Sequence, residues 1–137
     1  MYMLNNINII SEELVLTIPK ISQKISIDKE GLHSNFLEKP ELHPESVCPF
    51  SIGSVVIQAN KQFSGLGEVA LMDYLLLSDG EKLKAQYRVV KIEVRDIGVQ
   101  KIQTQYKKFE LVLITPWPLS GLCFSTNFKL IITGEMV

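Results

Sequence analysis

FELVLITPWPLSG, residues 109 to 121, decides the fold. FELVLIT is apolar on both alternating faces, the pattern of a central strand covered on each side. It runs into Thr115-Pro116-Trp117-Pro118, where two prolines flank the chain's lone tryptophan. Proline has no backbone donor, so a central ladder cannot continue through it. The strand stops there, and what stands at its end is placed at a rim.

Outward from that strand, the chain reads as β almost throughout. LVLTIPK (14–20) alternates Leu14, Leu16 and Ile18, and QKISI (23–27) aligns Ile25 with Ile27, so the two predict an early strand pair bent at Pro19. GLHSNFLEKPELHPESVCPF (31–50) carries three prolines and little periodicity, which predicts a long connection holding one short strand or turn. GSVVIQA (53–59) is β-branched and apolar, and FSGLGEVALMDYL (63–75) is the best helix candidate, with Leu66, Val69, Ala70 and Asp73 spaced for one face. After the Ser78-Asp79-Gly80 turn signal, EKLKAQYRVVKIEVRD (81–96) predicts a long half-exposed strand, with Val90, Ile92 and Val94 opposite Lys91 and Glu93. A polar stretch (98–108) precedes FELVLIT, and FKLIITG (128–134) is the last strand. Six to eight strands with one short helix and no βαβ rhythm point to a mainly antiparallel barrel or sandwich.

Composition bounds the function. The chain has 137 residues, and 46% hydrophobic against 21% charged residues is the balance of one globular domain able to bury a core. Residues 1–12 are expected to form a flexible N-terminal segment. Fourteen basic against fifteen acidic residues give no basic stripe, so no nucleic-acid partner is expected. Cys48 and Cys123 form no framework and no zinc spacing, and His33 and His43 stand ten residues apart without a metal-ligand pattern, so neither metal nor cofactor is expected. MYMLNNINII lacks the basic region and continuous apolar run of a signal peptide, and nothing approaches the ~18 apolar residues of a membrane span.

Several separated segments, in their order and setting, resemble the sortase family, cysteine transpeptidases built on a mixed-topology β-barrel. LVLITPWPL (111–119) resembles the strand of the type LTLVTCYPF that ends in the family's nucleophilic cysteine. VVIQANKQFSGLGE (55–68) is similar to the histidine segment of the type VVIAGHRDTHF, and NFKLIITGE (127–135) to the arginine strand of the type RYVVTA. GEKLKAQYRVVKIEV and LVLTIPKI resemble two further strands of the family, so the likeness runs from Leu14 to Glu135. It implies a closed barrel of seven to eight strands with one or two short helices. In that barrel the strands ending at Ala59 and Thr115 are neighbours, and Lys129 lies on the strand adjoining the second.

Carried over residue by residue, the cysteine position falls on Pro116, the histidine position on Asn60 and the arginine position on Lys129. That chemistry needs a thiolate, a proton donor for the leaving amine and a cation at the developing oxyanion. Proline supplies no nucleophile, the asparagine amide does not titrate near neutral pH, and lysine lacks the planar fork of arginine. Taken singly, a strand-ending proline, a turn asparagine and a solvated lysine are ordinary. Their joint position carries the reading: a sortase-like protein without catalysis, holding an extended peptide or surface protein in a groove floored by the strands ending at Asn60 and Pro116 and walled by loops 61–66 and 117–127. The resemblance points to the bacterial cell envelope. The alternatives are an enzyme using Cys123 as a migrated nucleophile, against the plain reading of a small apolar core residue, and an unrelated β-barrel interaction module.

Overall fold

The computed structural model describes residues 13–29, 39–59, 65–98, 101–117 and 127–137, so the expectations for residues 1–12, His33, Asn60 and Cys123 lie outside the described residues. The strands are β1 (Leu14–Ile18), β2 (Gln23–Ile27), β3 (Glu41–Leu42), β4 (Gly53–Gln58), β5 (Tyr74–Asp79), β6 (Leu83–Asp96), β7 (Phe109–Pro116) and β8 (Phe128–Met136). They form one sheet in the order β2-β1-β5-β6-β8-β7-β4-β3. The sheet curls into a nearly closed barrel, and Asp28 at the end of β2 joins the two edges. Its N–H donates to the Pro40 carbonyl at 2.8 Å, and its own carbonyl accepts the Leu42 N–H at 3.1 Å. Eight strands suffice for an interior filled by side chains.

The expected strand pair at the start is present as β1 and β2, joined through a 3-10 turn at Pro19–Ile21. The topology is mixed, because β4 runs parallel to β7 while the other strand pairs among the described residues are antiparallel. Alternation along β7 explains its composition. Leu111 and Leu113 enter the barrel core with Leu14, Leu16, Val55, Ile57 and Ile132. Val112 and Ile114 point outward into a second cluster with Val56 and Ile131, covered by Ile97 and Ile102 from the β6–β7 connection. Gly53 opens β4 under that connection at φ 119, where a Cβ would meet Val47 Cγ1 at 2.8 Å and the Gln105 carbonyl at 3.0 Å. Glycine is required on both counts.

Two local expectations are corrected. No helix spans the described part of 63–75; a three-residue 3-10 turn at Leu66–Glu68 is followed by extended backbone and then by β5. Gly65 at φ 81 and Met72 at φ 76 are left-handed, a conformation no right-handed helix accommodates. The Asp73 carboxylate accepts the Ala70 N–H at 2.8 Å, which stabilises the turn instead. That hydrogen bond and Lys20, 3.2 Å away, hold Asp73 below the usual carboxylate range. The helical spacing of Leu66 and Val69 still serves burial, since both reach the core through the turn.

The second correction lies in β6. Its register against β8 shifts between Val89 and Lys91, so Val90 is left out of the pairing as a β-bulge. Ala85, Tyr87 and Val89 face inward. Strict alternation would then carry Lys91, Glu93 and Arg95 into the core, and the extra residue turns all three outward. Val90 therefore does not share the face of Ile92 and Val94, which pair with Ile132 and Leu130.

Leu113→Ala should lower stability by about 2–5 kcal/mol, because it opens a cavity between β4 and β8. Leu83→Ala, at a side chain 49% exposed, should stay within about 0.5 kcal/mol. Urea unfolding of the two variants checks both values, and equal effects would contradict the inward assignment of Leu113.

Candidate functional site

Parallel pairing brings the C-terminal ends of β4 and β7 to the same end of the barrel. Gln58 pairs with Ile114, and the Ala59 N–H donates to the Ile114 carbonyl at 3.0 Å. Strand β8 begins at that end, with Leu130 opposite Thr115 and Lys129 opposite Pro116. The strands ending at Ala59 and Thr115 are thus neighbours, and Lys129 is on the strand adjoining the second, as expected. Trp117 continues the inward series after Thr115. Its N–H donates to the Phe128 carbonyl at 3.1 Å, and its ring packs against the barrel core. The proline-flanked tryptophan at the end of FELVLIT therefore closes the barrel end, while Pro116 and Lys129 share the outer face.

One residue of this row has no counterpart in the sequence reading. Arg95 of β6 pairs with Lys129, so Arg95, Lys129 and Pro116 stand side by side across β6, β8 and β7. Facing residues of antiparallel neighbours project to the same side, with Cα atoms about 4.5–5.5 Å apart. The Arg95 side chain is 18% exposed, and its Nε donates to Glu93 Oε1 at 3.1 Å, while Lys91 reaches the other Glu93 oxygen at 3.4 Å. The bulge at Val90 is what aims these groups outward, in keeping with the expected alternation of Lys91 and Glu93 against Ile92 and Val94, although Val90 itself departs from its expected face.

Along the same outer face lies a groove of about 620 Å³ between β6, β8, β7 and residues 102–105. Arg95 lines one end, and Lys108, Glu110 and Glu135 line the other. The Lys108 ammonium, hydrogen bonded to Glu135, is held above its ordinary range. Glu110 is anchored from below, where the Ser54 hydroxyl donates to its Oε2 at 2.6 Å in a buried pair. The same Ser54 oxygen accepts the Gln105 N–H at 3.0 Å, which ties the groove wall to β4. The strands expected to floor a groove, β4 and β7, are paired, but no residue of β4 lines this one, and most of the expected loop walls lie outside the described residues.

His43 and Cys48 occupy the connection between β3 and β4. The His43 N–H donates to the Val56 carbonyl, and Cys48 is an exposed free thiol. No group of three His, Cys, Asp or Glu side chains among the described residues could hold a metal ion.

Solved structures on which this barrel superimposes include sortases. Sortase C1 of GBS pilus island 1 matches with a TM-score of 0.75 at 18% identity, over 90% of this chain and 63% of its own. A crystal structure of Streptococcus agalactiae sortase C1 gives 0.74 at 19% identity, over 90% and 66%. The Clostridium perfringens sortase D5 transpeptidase gives 0.70 at 12% identity, over 92% and 79%. The fold is that of the sortases. No protein-family profile and no curated protein sequence matches the chain. The sortase-like barrel spans less than two thirds of the length of the first two of these structures. No helix among the described residues is long and apolar enough to cross a membrane.

Two outcomes are expected from this geometry. Ser54→Ala should cost about 1–3 kcal/mol, because it strips partners from the buried Glu110 carboxylate and the Gln105 amide. Hydrogen exchange should show residues 101–105 opening first in that variant. Burial lowers the His43 pKa from 6.5 despite the opposing charges of Glu45 and Glu41, and Nδ1 accepts the Glu45 N–H at 2.9 Å. Below 6.5 the unfolded chain takes up a proton that the folded one resists. Stability should therefore fall as pH drops through that value toward the lower folded pKa, and level off above it where both states are deprotonated. His43→Asn, which keeps an acceptor but does not titrate, should flatten urea midpoints compared between about pH 7.5 and about pH 5.5.

Proposed function

We propose that this sortase-like chain is a non-catalytic protein that holds an extended peptide, or an extended segment of a surface protein, on the outer face of its barrel. The observation that carries the reading is Pro116, the residue at the end of β7 directly opposite Lys129. In the resemblance set out above, this is the place of the nucleophile, and a proline there offers neither a thiolate nor a backbone N–H. Lys129 keeps a positive charge but not the bidentate fork. With Asn60 at the position of the proton donor, both proton transfer and covalent attack lack a group to perform them.

What supports binding is the groove along the outer face. From Glu135 to Ile131 the floor of β8 runs roughly 14 Å, the span of about four residues of extended chain. Its walls offer polar side chains, including Gln103, Gln105 and Thr133, around the apolar Val112 and Ile131. Such a mixed lining suits a strand-like peptide whose alternate side chains point down and out.

Purified protein mixed with a sorting-signal peptide and an amine acceptor should yield no hydrolysed or joined product by mass spectrometry over hours. Pro116→Cys should add an alkylatable thiol without turnover, because catalysis also needs the carbonyl held within about 1 Å of attack geometry. Product formation by the native chain that Cys123→Ala abolishes would overturn the non-catalytic reading.

A further inference from the structure

The row at the end of β7 carries a charge imbalance that peptide capture does not by itself require. The Lys129 ammonium makes no hydrogen bond or ion pair among the described residues. Beside it, the Arg95 guanidinium meets Glu93 through Nε alone. A guanidinium has five N–H donors and Nε carries one of them, so four remain on its two terminal nitrogens. Glu93 is already shared between Lys91 and Arg95. Asp96, the next residue of β6, pairs with Phe128 and accepts the Gly98 N–H at 2.9 Å, and Glu41 is on β3, three strands from β8 and roughly 14 Å away across the sheet. At the other end of the groove stand Glu110 and Glu135 with Lys108. The face is therefore positive where β7 ends and acidic where it begins.

We infer that Arg95 and Lys129 form an anion subsite beside Pro116, and that this subsite takes a carboxylate of the bound peptide. The inference rests on the peptide-binding reading and adds the chemistry and polarity of the ligand. A carboxylate above Pro116 accepts a hydrogen bond from the Lys129 ammonium and a charge-assisted one from Arg95, each shorter and stronger than a neutral hydrogen bond. The proline ring contributes a flat apolar floor without a donor or a charge of its own. The carboxylate comes either from the peptide C-terminus or from an Asp or Glu side chain. The rest of the peptide then runs along β8 toward Glu110 and Glu135, where a Lys side chain or the N-terminal amine is favoured.

The test reads the local field and the ligand separately. In full-length Pro116→Cys, the thiol introduced at position 116 is modified with methanethiosulfonates bearing either a sulfonate or a trimethylammonium group. Exposed Cys48 is the reference within the same molecule. The sulfonate-to-ammonium rate ratio at position 116 should exceed that at Cys48 by on the order of tenfold, and should fall to within about twofold of it in about 1 M salt. Adding Lys129→Gln or Arg95→Gln should lower the ratio at low salt. Equal ratios at the two thiols would overturn the subsite, and the salt arm decides this even where a double variant fails to fold.

For the ligand, random hexapeptide pools are passed over immobilised native protein and the retained fraction is sequenced. Preference for free C-termini over amidated ones identifies a terminal carboxylate, and enrichment of Asp and Glu over Asn and Gln identifies a side chain. Either supports the inference when Lys129→Gln removes it. Retention blind to carboxylates overturns the anion subsite and leaves peptide binding standing. No retention of any pool counts against peptide binding, while the thiol ratio still decides whether the row is an anion subsite.

Discussion

Burial of β7 on both faces is the constraint from which the rest of the structure follows. A strand with Leu111 and Leu113 on one side and Val112 and Ile114 on the other cannot lie at an edge or against water. Each buried aliphatic side chain is worth roughly 1.5–3 kcal/mol relative to exposure, so a strand that left one of these faces wet would forgo several kcal/mol. The inner face is covered by the barrel, and the outer face is covered by Ile97 and Ile102 of the β6–β7 connection. The strand must also be hydrogen bonded on both sides, which β4 in parallel and β8 in antiparallel provide. The same requirement fixes where the strand can stop, since Pro116 removes a donor and Trp117 turns into the barrel end.

The outer cover creates the groove as a by-product of packing. The connection drapes Ile97 and Ile102 over the cluster, then descends to Gln105, whose backbone is bound to Ser54 on β4. Between that descent and the β6–β8 sheet a trough remains. Ser54 does two jobs there with one oxygen, because it accepts the Gln105 N–H and donates to the buried Glu110 carboxylate. A hydroxyl can do both at once where an amide N–H or a carbonyl can do only one. That makes a single small side chain the link between the strand under the groove and the wall over it.

Much of the fold was legible because β-strands write their burial into residue type. FELVLIT declared a central strand, and LVLTI with QKISI declared a hairpin-like pair. What the sequence concealed falls where geometry breaks the simple period. Residues 63–75 hold apolar side chains at helical spacing, but Gly65 and Met72 take positive φ, and Asp73 caps a turn where the spacing suggested a helix. Of the site, Pro116 and Lys129 were legible only through the order of family-like segments, and the structure sets them opposite each other. Val90 was miscounted onto the face of Ile92 and Val94. Although the alternation set Lys91 and Glu93, and with them Arg95, on the other face, nothing in residue type placed Arg95 beside Lys129.

That miscount carries the functional point. A bulge adds one residue to one strand, and with a side-chain period of two, one residue exchanges the faces of everything beyond it. In β6 the exchange converts Lys91, Glu93 and Arg95 from three charges aimed into an apolar core, an arrangement that would not fold, into a charged stripe along the outer groove. The last of the three then stands next to Lys129. In the reading proposed above, proline takes the nucleophile position while positive charge is kept, with the second cation on a different strand. The cationic character of this end of the barrel is therefore a property of the β6–β8–β7 row and its bulge. A change at Val90 that restored regular alternation would remove it without touching Lys129 or Pro116.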